Sequence, residues 1–416
     1  MKRKIASHFI NCWSMSLLLL LAFLPITHSE ETGSDEAFYL RDGDRVVFYG
    51  DSITEQGHYT LPIEKFVATR FPDWNISFVN SGWGGERAWG GEGGMLAERL
   101  QRDVVRHNPT VVTVMLGMND GYYTNFDEDA LQVFRENMES LAKTLKTKLP
   151  EVRITLIGTP PYDNVTPGEQ PDWERAIDGG YDSVVVRYSQ EMAKIAKRHD
   201  LPFVDMHKPL VNLLKELQAY EPSLARQLIP DRILPGNAAG LVMAAELLRA
   251  WHAPLPPSIE VEGMLLGNWP ITRTFESPAA YSIESDPLTS YLFQKGNRLA
   301  FFSPPRLQII NLPLERVSLW LDDSDMGTFT QAELEKGIAL PQNGDHSIVL
   351  AKLIDVRAKL RFKKWREGEL ASTKNADDLA KTEVEMIVNE MELEARRSNL
   401  VKATQHVLEI RKPLSE

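Results

Sequence analysis

A serine lies where the first strand of the chain is predicted to end, in the sequence Gly50-Asp51-Ser52. In a parallel sheet, this position is at the carboxyl edge and at the start of the next helix. A helix N-terminus stabilises developing negative charge, which suits a serine nucleophile. Helix capping by Ser52 or Asp51 is the structural alternative, because both residue types are common caps. The motif also differs from the G-x-S-x-G nucleophile elbow, because Thr54 occupies the final glycine position.

Two further polar motifs follow the next two apolar runs. The glycines of Asn80-Ser-Gly-Trp-Gly-Gly85 allow backbone N–H groups to approach a substrate oxygen closely. The side-chain amide of Asn119, in Gly117-Met-Asn-Asp120, is a donor that suits an oxyanion. A plain glycine-rich turn and an asparagine in a strand-end turn are the structural alternatives.

Three residues of these motifs are candidates for lining a substrate: Trp83, Asp51 and Asp120. Exposed aromatic side chains beside a site suit the binding of sugars or acyl groups. Packing in the core is the alternative for Trp83, and hydrogen bonds that hold the loops are the alternative for the two aspartates.

Apolar runs alternate with amphipathic segments over residues 45–255. This alternation predicts βαβ units and a parallel sheet covered by helices on both faces. The three motifs follow three successive strands, so they are expected to share the carboxyl edge of the sheet, where ligands bind. The predicted strands are 45–50, 76–80, 110–116, 152–158 and 202–205, and the predicted helices span about 51–71, 94–106, 127–149, 181–199 and 237–252.

The pattern changes after the proline cluster at 254–257, which ends the domain predicted over residues 30–255. Residues 258–345 contain short apolar runs, among them 299–302, separated by glycines, prolines and Asn-Gly turns. This spacing predicts a small antiparallel β unit. Residues 346–416 predict a helical extension with two charged helices.

With these motifs in order, residues 44–252 resemble the SGNH or GDSL-type hydrolase (esterase) family. The resemblance implies an α/β, flavodoxin-like three-layer sandwich with a parallel sheet. It implies Ser52 as the nucleophile, and the N–H of Ser52, the N–H of Gly85 and the amide of Asn119 as the oxyanion hole. It also implies an acid that orients a histidine, in a final motif that matches Asp231-Arg-Ile-Leu234-Pro. The residues after 255 resemble the appendage of certain exported bacterial members.

The position of the family's catalytic histidine holds Leu234. Leucine can neither accept the serine proton nor protonate a leaving group, and a serine without a base is a weak nucleophile at neutral pH. Among the other histidines, His207 follows the fifth predicted strand at the correct edge, so it is the candidate substitute base. A solvent-facing loop histidine is the alternative.

Two hypotheses about function follow. In the first, the protein is an exported serine esterase that hydrolyses acyl or acetyl esters of small molecules or polysaccharides with a replacement base. In the second, it is a catalytically impaired relative that binds an ester or glycan without efficient turnover. A phosphodiesterase or metalloenzyme is disfavoured because no histidine pair has metal-ligand spacing, and no cofactor is expected.

The first 29 residues have the pattern of a signal peptide. A basic start at Lys2, Arg3 and Lys4 precedes a leucine-rich apolar run, and cleavage is expected near Ser29. An uncleaved membrane anchor is the alternative. Cleavage would remove Cys12, the only cysteine, so the mature chain is expected to contain no disulfide and no thiolate metal ligand.

The charge of the chain bears on its partners. The 416 residues carry a formal net charge of −12, which disfavours binding to a phosphate backbone. No later segment predicts a membrane span. The sequence does not identify a protein partner.

Overall fold

The computed structural model of the protein describes residues 37–168, 172–263, 269–279, 283, 286–295, 298–341, 344–370, 376–402 and 405–413. The signal peptide predicted over residues 1–29 lies outside these ranges. The strands are β1 (Arg45–Gly50), β2 (Ser77–Gly82), β3 (Gly90–Gly91), β4 (Gly94–Met95), β5 (Val111–Met115), β6 (Arg153–Gly158), β7 (Phe203–Asp205), β8 (Ser258–Glu262), β9 (Ile271–Glu276), β10 (Arg306–Ile310), β11 (Arg316–Leu321), β12 (Ser324–Thr330), β13 (Ile338–Ala339) and β14 (Gln405–Arg411).

The helices divide between the sheet-forming part of the chain and the appended segments. They are α1 (Ser52–Glu55), α2 (Thr60–Arg70), α3 (Leu96–Arg99), α4 (Glu128–Lys148), α5 (Asp172–Arg175), α6 (Asp182–His199), α7 (His207–Tyr220), α8 (Pro222–Leu228), α9 (Asn237–Ala250), α10 (Pro287–Gln294), α11 (Gln331–Lys336), α12 (Gly344–Lys363) and α13 (Ala376–Lys402). Short π-helical segments follow α3 at Leu100–Val104 and α12 at Lys364–Glu369. None of the helices in the described part of the chain is long and apolar enough to cross a membrane.

Five parallel strands form the main sheet in the order β2-β1-β5-β6-β7. The central strands are buried on both faces, which explains their unbroken apolar runs; every residue of β5 is buried. This arrangement confirms the predicted α/β, flavodoxin-like fold. The order reverses between β1 and β5, and a reversal of this kind opens a crevice at the carboxyl ends of the strands.

The helix predicted over about 51–71 is two helices. α1 ends at Glu55, and α2 begins at Thr60 after a turn. Gly57 has a φ of +80°, a left-handed conformation that side chains rarely adopt and that interrupts the helix. As a result, His58 lies in the turn rather than on a continuous helix face.

The appended β structure differs from the antiparallel unit predicted over 258–345. β8 pairs with β10 in parallel, and β13 pairs antiparallel with β10. A second sheet has the order β12-β11-β14-β9, so its β14 comes from the far end of the chain. Leu408 and Ile410 of β14 are buried in the core of this β structure, which explains why the strand returns to it after α13.

The apolar run 299–302, predicted as a strand, contains a 3₁₀ turn over Ala300–Phe302. Phe301 and Phe302 pack edge-on against Phe66 of α2, with ring centroids 6.3 and 6.4 Å apart. A short apolar run does not by itself distinguish a strand from a buried turn, which explains the error.

The helix α12 lies along α2 and the open edge of β2. Lys65 of α2 pairs with Asp355 of α12 at 2.6 Å, and Arg361 donates to the carbonyl oxygen of Phe78 at 2.8 Å. A groove with a volume of about 960 Å³ runs between α12 and this strand. The appended helices therefore contact the sheet domain directly.

Candidate active site

Ser52 is the first residue of α1, at the carboxyl end of β1. The carboxylate of Asp51 accepts a hydrogen bond from the N–H of Ile53 at 2.9 Å, so Asp51 caps this helix. Asp51 is fully buried, whereas Ser52 is half-buried. Capping thus belongs to Asp51, and the Ser52 side chain keeps access to the crevice.

The loop after β2 is attached to the end of β1. The N–H of Trp83 donates to the carbonyl oxygen of Gly50 at 3.0 Å. A Cβ atom at Gly82 would lie 2.2 Å from the backbone nitrogen of Glu55, so only glycine allows β2 to approach α1 this closely. The turn closes with a hydrogen bond from the N–H of Glu86 to the carbonyl oxygen of Trp83 at 3.2 Å.

Gly85 occupies the exposed part of that turn with a φ of +74°. No heavy atom lies within 4 Å of the place a Cβ atom would take. The backbone at Gly85 is therefore open to a molecule in the crevice, and a side chain there would be strained.

Asn119 joins the loop after β5 to the loop after β2. Its side-chain nitrogen donates to the carbonyl oxygen of Glu86 at 3.0 Å, and its side-chain oxygen accepts from the Tyr123 hydroxyl at 2.9 Å. Arg87 donates to the Asn119 carbonyl oxygen at 3.0 Å. These bonds fix the amide orientation and leave its second N–H for a ligand.

Buried carboxyl groups surround these loops. Burial, reinforced by neighbouring carboxyls, raises the pKa of Asp51 to about 7. Asp120, which accepts from the N–H of Ala88 at 2.8 Å, also has its pKa raised to about 7 by burial. The carboxyl of Glu86 lies 2.8 Å from Arg99, with both side chains fully buried. Asp51 and Asp120 therefore hold loops, the alternative given above for both, rather than line a substrate.

The fourth motif forms a loop in which only Asp231 is exposed and Pro235 is buried. Asp231 accepts hydrogen bonds through one oxygen from the N–H groups of Ile233 at 3.0 Å and Leu234 at 2.7 Å. The Leu234 side chain is half-buried and packs against the apolar core. Asp231 lies close enough to raise the pKa of Tyr123, although burial and then Asp51 contribute more to that rise. The loop thus carries an acid at position 231 and has no base at position 234.

Residues 48–224 match the profile of the GDSL-like lipase/acylhydrolase family. The chain carries a GDSL-like (SGNH) hydrolase domain. An acetylxylan esterase from Geobacillus stearothermophilus is 26% identical over 227 residues, which are 50% of this chain and 93% of that enzyme. The structure of a gut microbial diltiazem-metabolizing enzyme is similar with a TM-score of 0.69 and 23% identity, over 90% of this chain and 98% of that one. That likeness extends past the SGNH domain, so it includes the fold of the appended segments.

His207 of the SGNH domain lies at the far edge of the sheet. It begins α7 directly after β7, three strand spacings or about 14 Å from β1. Its Nε2 atom is 2.9 Å from the carboxylate of Asp182. His207 is therefore too distant to take the Ser52 proton directly, which corrects its selection as a substitute base. The sequence shows that His207 follows the fifth strand, but not how far that strand lies from β1 in the sheet.

A different histidine contacts the fourth motif. The Nδ1 atom of His58 lies 2.8 Å from the carbonyl oxygen of Pro235. Because a carbonyl only accepts, Nδ1 is the donor in this contact, and in the neutral ring Nε2 keeps its lone pair. The sequence did not indicate this contact, because it depends on the turn between α1 and α2.

Sequence reasoning also missed Tyr123, whose hydroxyl orients Asn119. Tyr123 has a φ of +56°, which is rare for an aromatic residue and marks a constrained loop. Among the described residues, no cluster of three or more histidine, cysteine or acidic side chains has an arrangement that could hold a metal ion.

Proposed function

We propose that the SGNH domain binds carboxylic esters at Ser52, Gly85 and Asn119 and hydrolyses them slowly. The observation that carries this proposal is that hydrogen bonds join the loops after β1, β2 and β5. Trp83 bonds to Gly50, and Asn119 bonds to Glu86, so the three loops that carry Ser52, Gly85 and Asn119 are bonded to one another. A preorganised set of donors of this kind stabilises the negative oxygen of a tetrahedral intermediate.

In the proposed reaction, the Ser52 oxygen attacks the ester carbonyl carbon, and the carbonyl oxygen becomes an oxyanion. The N–H groups of Ser52 and Gly85 and the free amide N–H of Asn119 donate to that oxyanion. The intermediate collapses with expulsion of the alcohol, and water then hydrolyses the acyl-serine. Leu234 neither accepts the serine proton nor protonates the alcohol, so both proton transfers fall to water.

The expected loss of rate is large. In a well-studied serine hydrolase, removal of the catalytic histidine lowers kcat by about 10⁶, and about 10³–10⁴ of acceleration over water remains from the oxyanion hole and binding. We therefore infer an ester-binding domain with residual turnover rather than an efficient esterase.

A second candidate is an efficient esterase that uses His58 as its base. The contact between His58 Nδ1 and Pro235 favours it, because that contact orients the ring and leaves Nε2 able to accept a proton. The turn between α1 and α2 would have to bring Nε2 to about 3 Å from the Ser52 oxygen.

The substrate class we propose is an acetyl ester carried by a polysaccharide. The similarity to an acetylxylan esterase supports this class at the level of the SGNH domain. The exposed Gly85 turn has no heavy atom within 4 Å of the place that a Cβ atom would take, so this turn forms an open surface. An open surface suits a small acyl group on a large alcohol.

We also propose that the protein is exported. The basic start, the leucine-rich run and the small residues before Glu30 support cleavage near Ser29. N-terminal sequencing of the protein recovered from outside the cytoplasm should begin at or near Glu30. A chain that retains Met1 and sediments with membranes would contradict cleavage.

The proposed function is tested by acetate release from p-nitrophenyl acetate and from acetylated xylan. The native protein should turn over far below the ordinary enzymatic rate of about 10 s⁻¹, and Ser52→Ala should abolish that residual activity. The matched control is Ser183→Ala, a serine outside the crevice at the start of α6. A rate near 10 s⁻¹ that depends on Ser52 and His58 would support the efficient esterase instead. Residual turnover unaffected by Ser52→Ala would refute both.

A further inference from the structure

A tryptophan and an arginine from the C-terminal extension lie against the loop after β2, here called the oxyanion loop (residues 83–89). The guanidinium of Arg366 lies 3.3 Å from the centroid of the Trp83 ring, so the two groups are in stacking contact. The ring of Trp365 meets the same Trp83 ring edge-on at 5.6 Å. Gly85 follows Trp83 by two residues, so the extension contacts the loop that carries a proposed oxyanion donor.

Arg366 also contacts the nucleophile helix. It forms an ion pair with Glu55, the last residue of the helix that Ser52 begins. A Cβ atom at Gly84 would lie 3.1 Å from the Glu55 carboxylate, so that carboxylate rests against the oxyanion loop as well. Only 15% of the Arg366 side chain and 22% of the Glu55 side chain are exposed, which limits screening of this pair by solvent.

Docking of the extension does not require these contacts. Arg357 pairs with Glu64 of α2, and Arg361 bonds to the carbonyl oxygen of Phe78. Arg397 of α13 donates to the carbonyl oxygen of Pro72 at 3.1 Å. All three attach the extension to surfaces away from the crevice, whereas Arg366 reaches the two elements that form it.

The segment that carries Arg366 is itself unusual. It is the π-helical turn Lys364–Glu369, and π-helical turns inside helices occur frequently at functional sites. Arg102, in the other π-helical segment, faces the Trp83 ring from 5.4 Å. Arg99, the last residue of α3, lies 5.3 Å from the same ring, so cationic groups from three elements surround Trp83.

We propose that Arg366 is a positioning residue of the ester site. It stacks on Trp83 and pairs with Glu55, and so fixes the distance between the Gly85 N–H and Ser52. The effect of Arg366 on kcat rests on the proposed function, whereas its effect on the position of the loop after β2 does not. It gives the C-terminal extension a role in the chemistry of the SGNH domain.

The structural consequence is tested by hydrogen exchange of the intact protein, compared among Arg366→Met, Lys364→Met and the native chain. Lys364 is a matched control, because it lies in the same turn and pairs with Glu383 of α13 at 3.1 Å. Arg366→Met should raise exchange in peptides covering residues 81–90 by about tenfold or more, as expected when a local contact is lost. Lys364→Met should leave those peptides unchanged. Equal exchange in all three proteins would overturn the proposal, whatever their activity.

The catalytic consequence is tested in a Leu234→His background, which supplies a base. There, Arg366→Met should lower kcat for p-nitrophenyl acetate by about tenfold or more, because small displacements of reacting groups are costly, with KM changed less than about twofold. Arg366→Lys keeps the charge but not the planar stacking, so it should recover only part of kcat. Unchanged kcat in Arg366→Met, measured beside an active parent, would overturn the catalytic consequence.

These outcomes separate the two proposals. An inactive Leu234→His parent together with faster exchange in Arg366→Met would count against the proposed function and leave the positioning role standing. If Arg366→Met does not fold, Glu55→Gln breaks the same ion pair from the other side and keeps the packing of α12. Normal exchange over residues 81–90 in Glu55→Gln would then overturn the positioning role.

Discussion

The two halves of the crevice are built differently. The loops after β1, β2 and β5 are bonded to one another, through Trp83 to Gly50 and Asn119 to Glu86. In the loop at 231–236 only Asp231 is exposed, and its carboxylate bonds to the loop's own backbone at Ile233 and Leu234. The first half offers backbone and amide donors that hydrogen bonds within the domain hold in place, whereas a base in the second half depends on the one side chain at position 234. A base can therefore be absent while the oxyanion half stays intact, because the fold does not depend on that base.

The largest expected effect comes from restoring the base. Leu234→His should raise kcat for p-nitrophenyl acetate by about two to three orders of magnitude, part of the roughly 10⁶ that such a histidine contributes elsewhere. Asp231 already lies three residues away with one carboxylate oxygen not used by the loop, so it can orient the new ring. Steady-state hydrolysis is the measurement, and Leu234→Gln is the control of similar size without a base. A gain shared by both variants would mean that polarity alone is limiting.

The next effect is on the other half of the crevice. Asn119→Ala removes one proposed oxyanion donor and should lower kcat by about 10²–10³ in the Leu234→His protein. It also leaves the Glu86 carbonyl oxygen and the Tyr123 hydroxyl without this partner, so the melting temperature should fall. Tyr123→Phe is the comparison, because it removes only the bond that orients the amide. A smaller loss of kcat in Asn119→Ala than in Tyr123→Phe would contradict the assignment of Asn119 as the donor.

The sequence predicted the sheet well because its three central strands, β1, β5 and β6, are buried apolar runs. One of the five predicted strands has the observed bounds, and the other four differ from the observed bounds by at most two residues at either end. The position of Ser52 directly after β1 was also predictable, since it depends only on where that strand ends. In these regions, an apolar run in the sequence is enough to indicate that the segment is a strand buried in the sheet.

The errors lie where contacts join distant parts of the chain. Arg366 and Glu55 are 311 residues apart, and no local pattern around either residue indicates their pairing. The pairing of β14 with β9 brings Gln405 to Glu276, 129 residues apart. The assignment of His207 failed for a related reason, because strand order decides which edge a residue occupies. Only the three-dimensional arrangement reveals these three features.

A smaller effect is expected from the buried carboxyl under the nucleophile. Burial raises the pKa of Asp51 from an ordinary 3.8 to about 7. Between these values, the folded protein binds more protons than the unfolded chain, so stability is greatest at the low end and falls as pH rises towards 7. The contribution is on the order of a few kcal/mol. Unfolding temperatures from pH 5 to 8 should fall for the native protein and fall less steeply for Asp51→Asn. The control is Asp129→Asn, at an exposed position, which should leave the slope of unfolding temperature against pH unaltered. A slope in Asp51→Asn equal to that of the native protein would contradict the raised pKa of Asp51.

The smallest expected effect tests whether His58, in the turn between α1 and α2, acts as a base for Ser52. His58→Gln removes the ring but keeps a side-chain N–H that can donate to the carbonyl oxygen of Pro235, so stability should change by about 1 kcal/mol or less. If water takes the Ser52 proton, as proposed, the residual hydrolysis of p-nitrophenyl acetate should change less than about twofold. His207→Gln should behave in the same way, because that ring lies beyond reach of Ser52. A loss of about 100-fold or more in His58→Gln alone would identify His58 as the base. The comparison between the two halves would then have to be revised, because the base would lie in the turn after the nucleophile helix and not in the loop at 231–236.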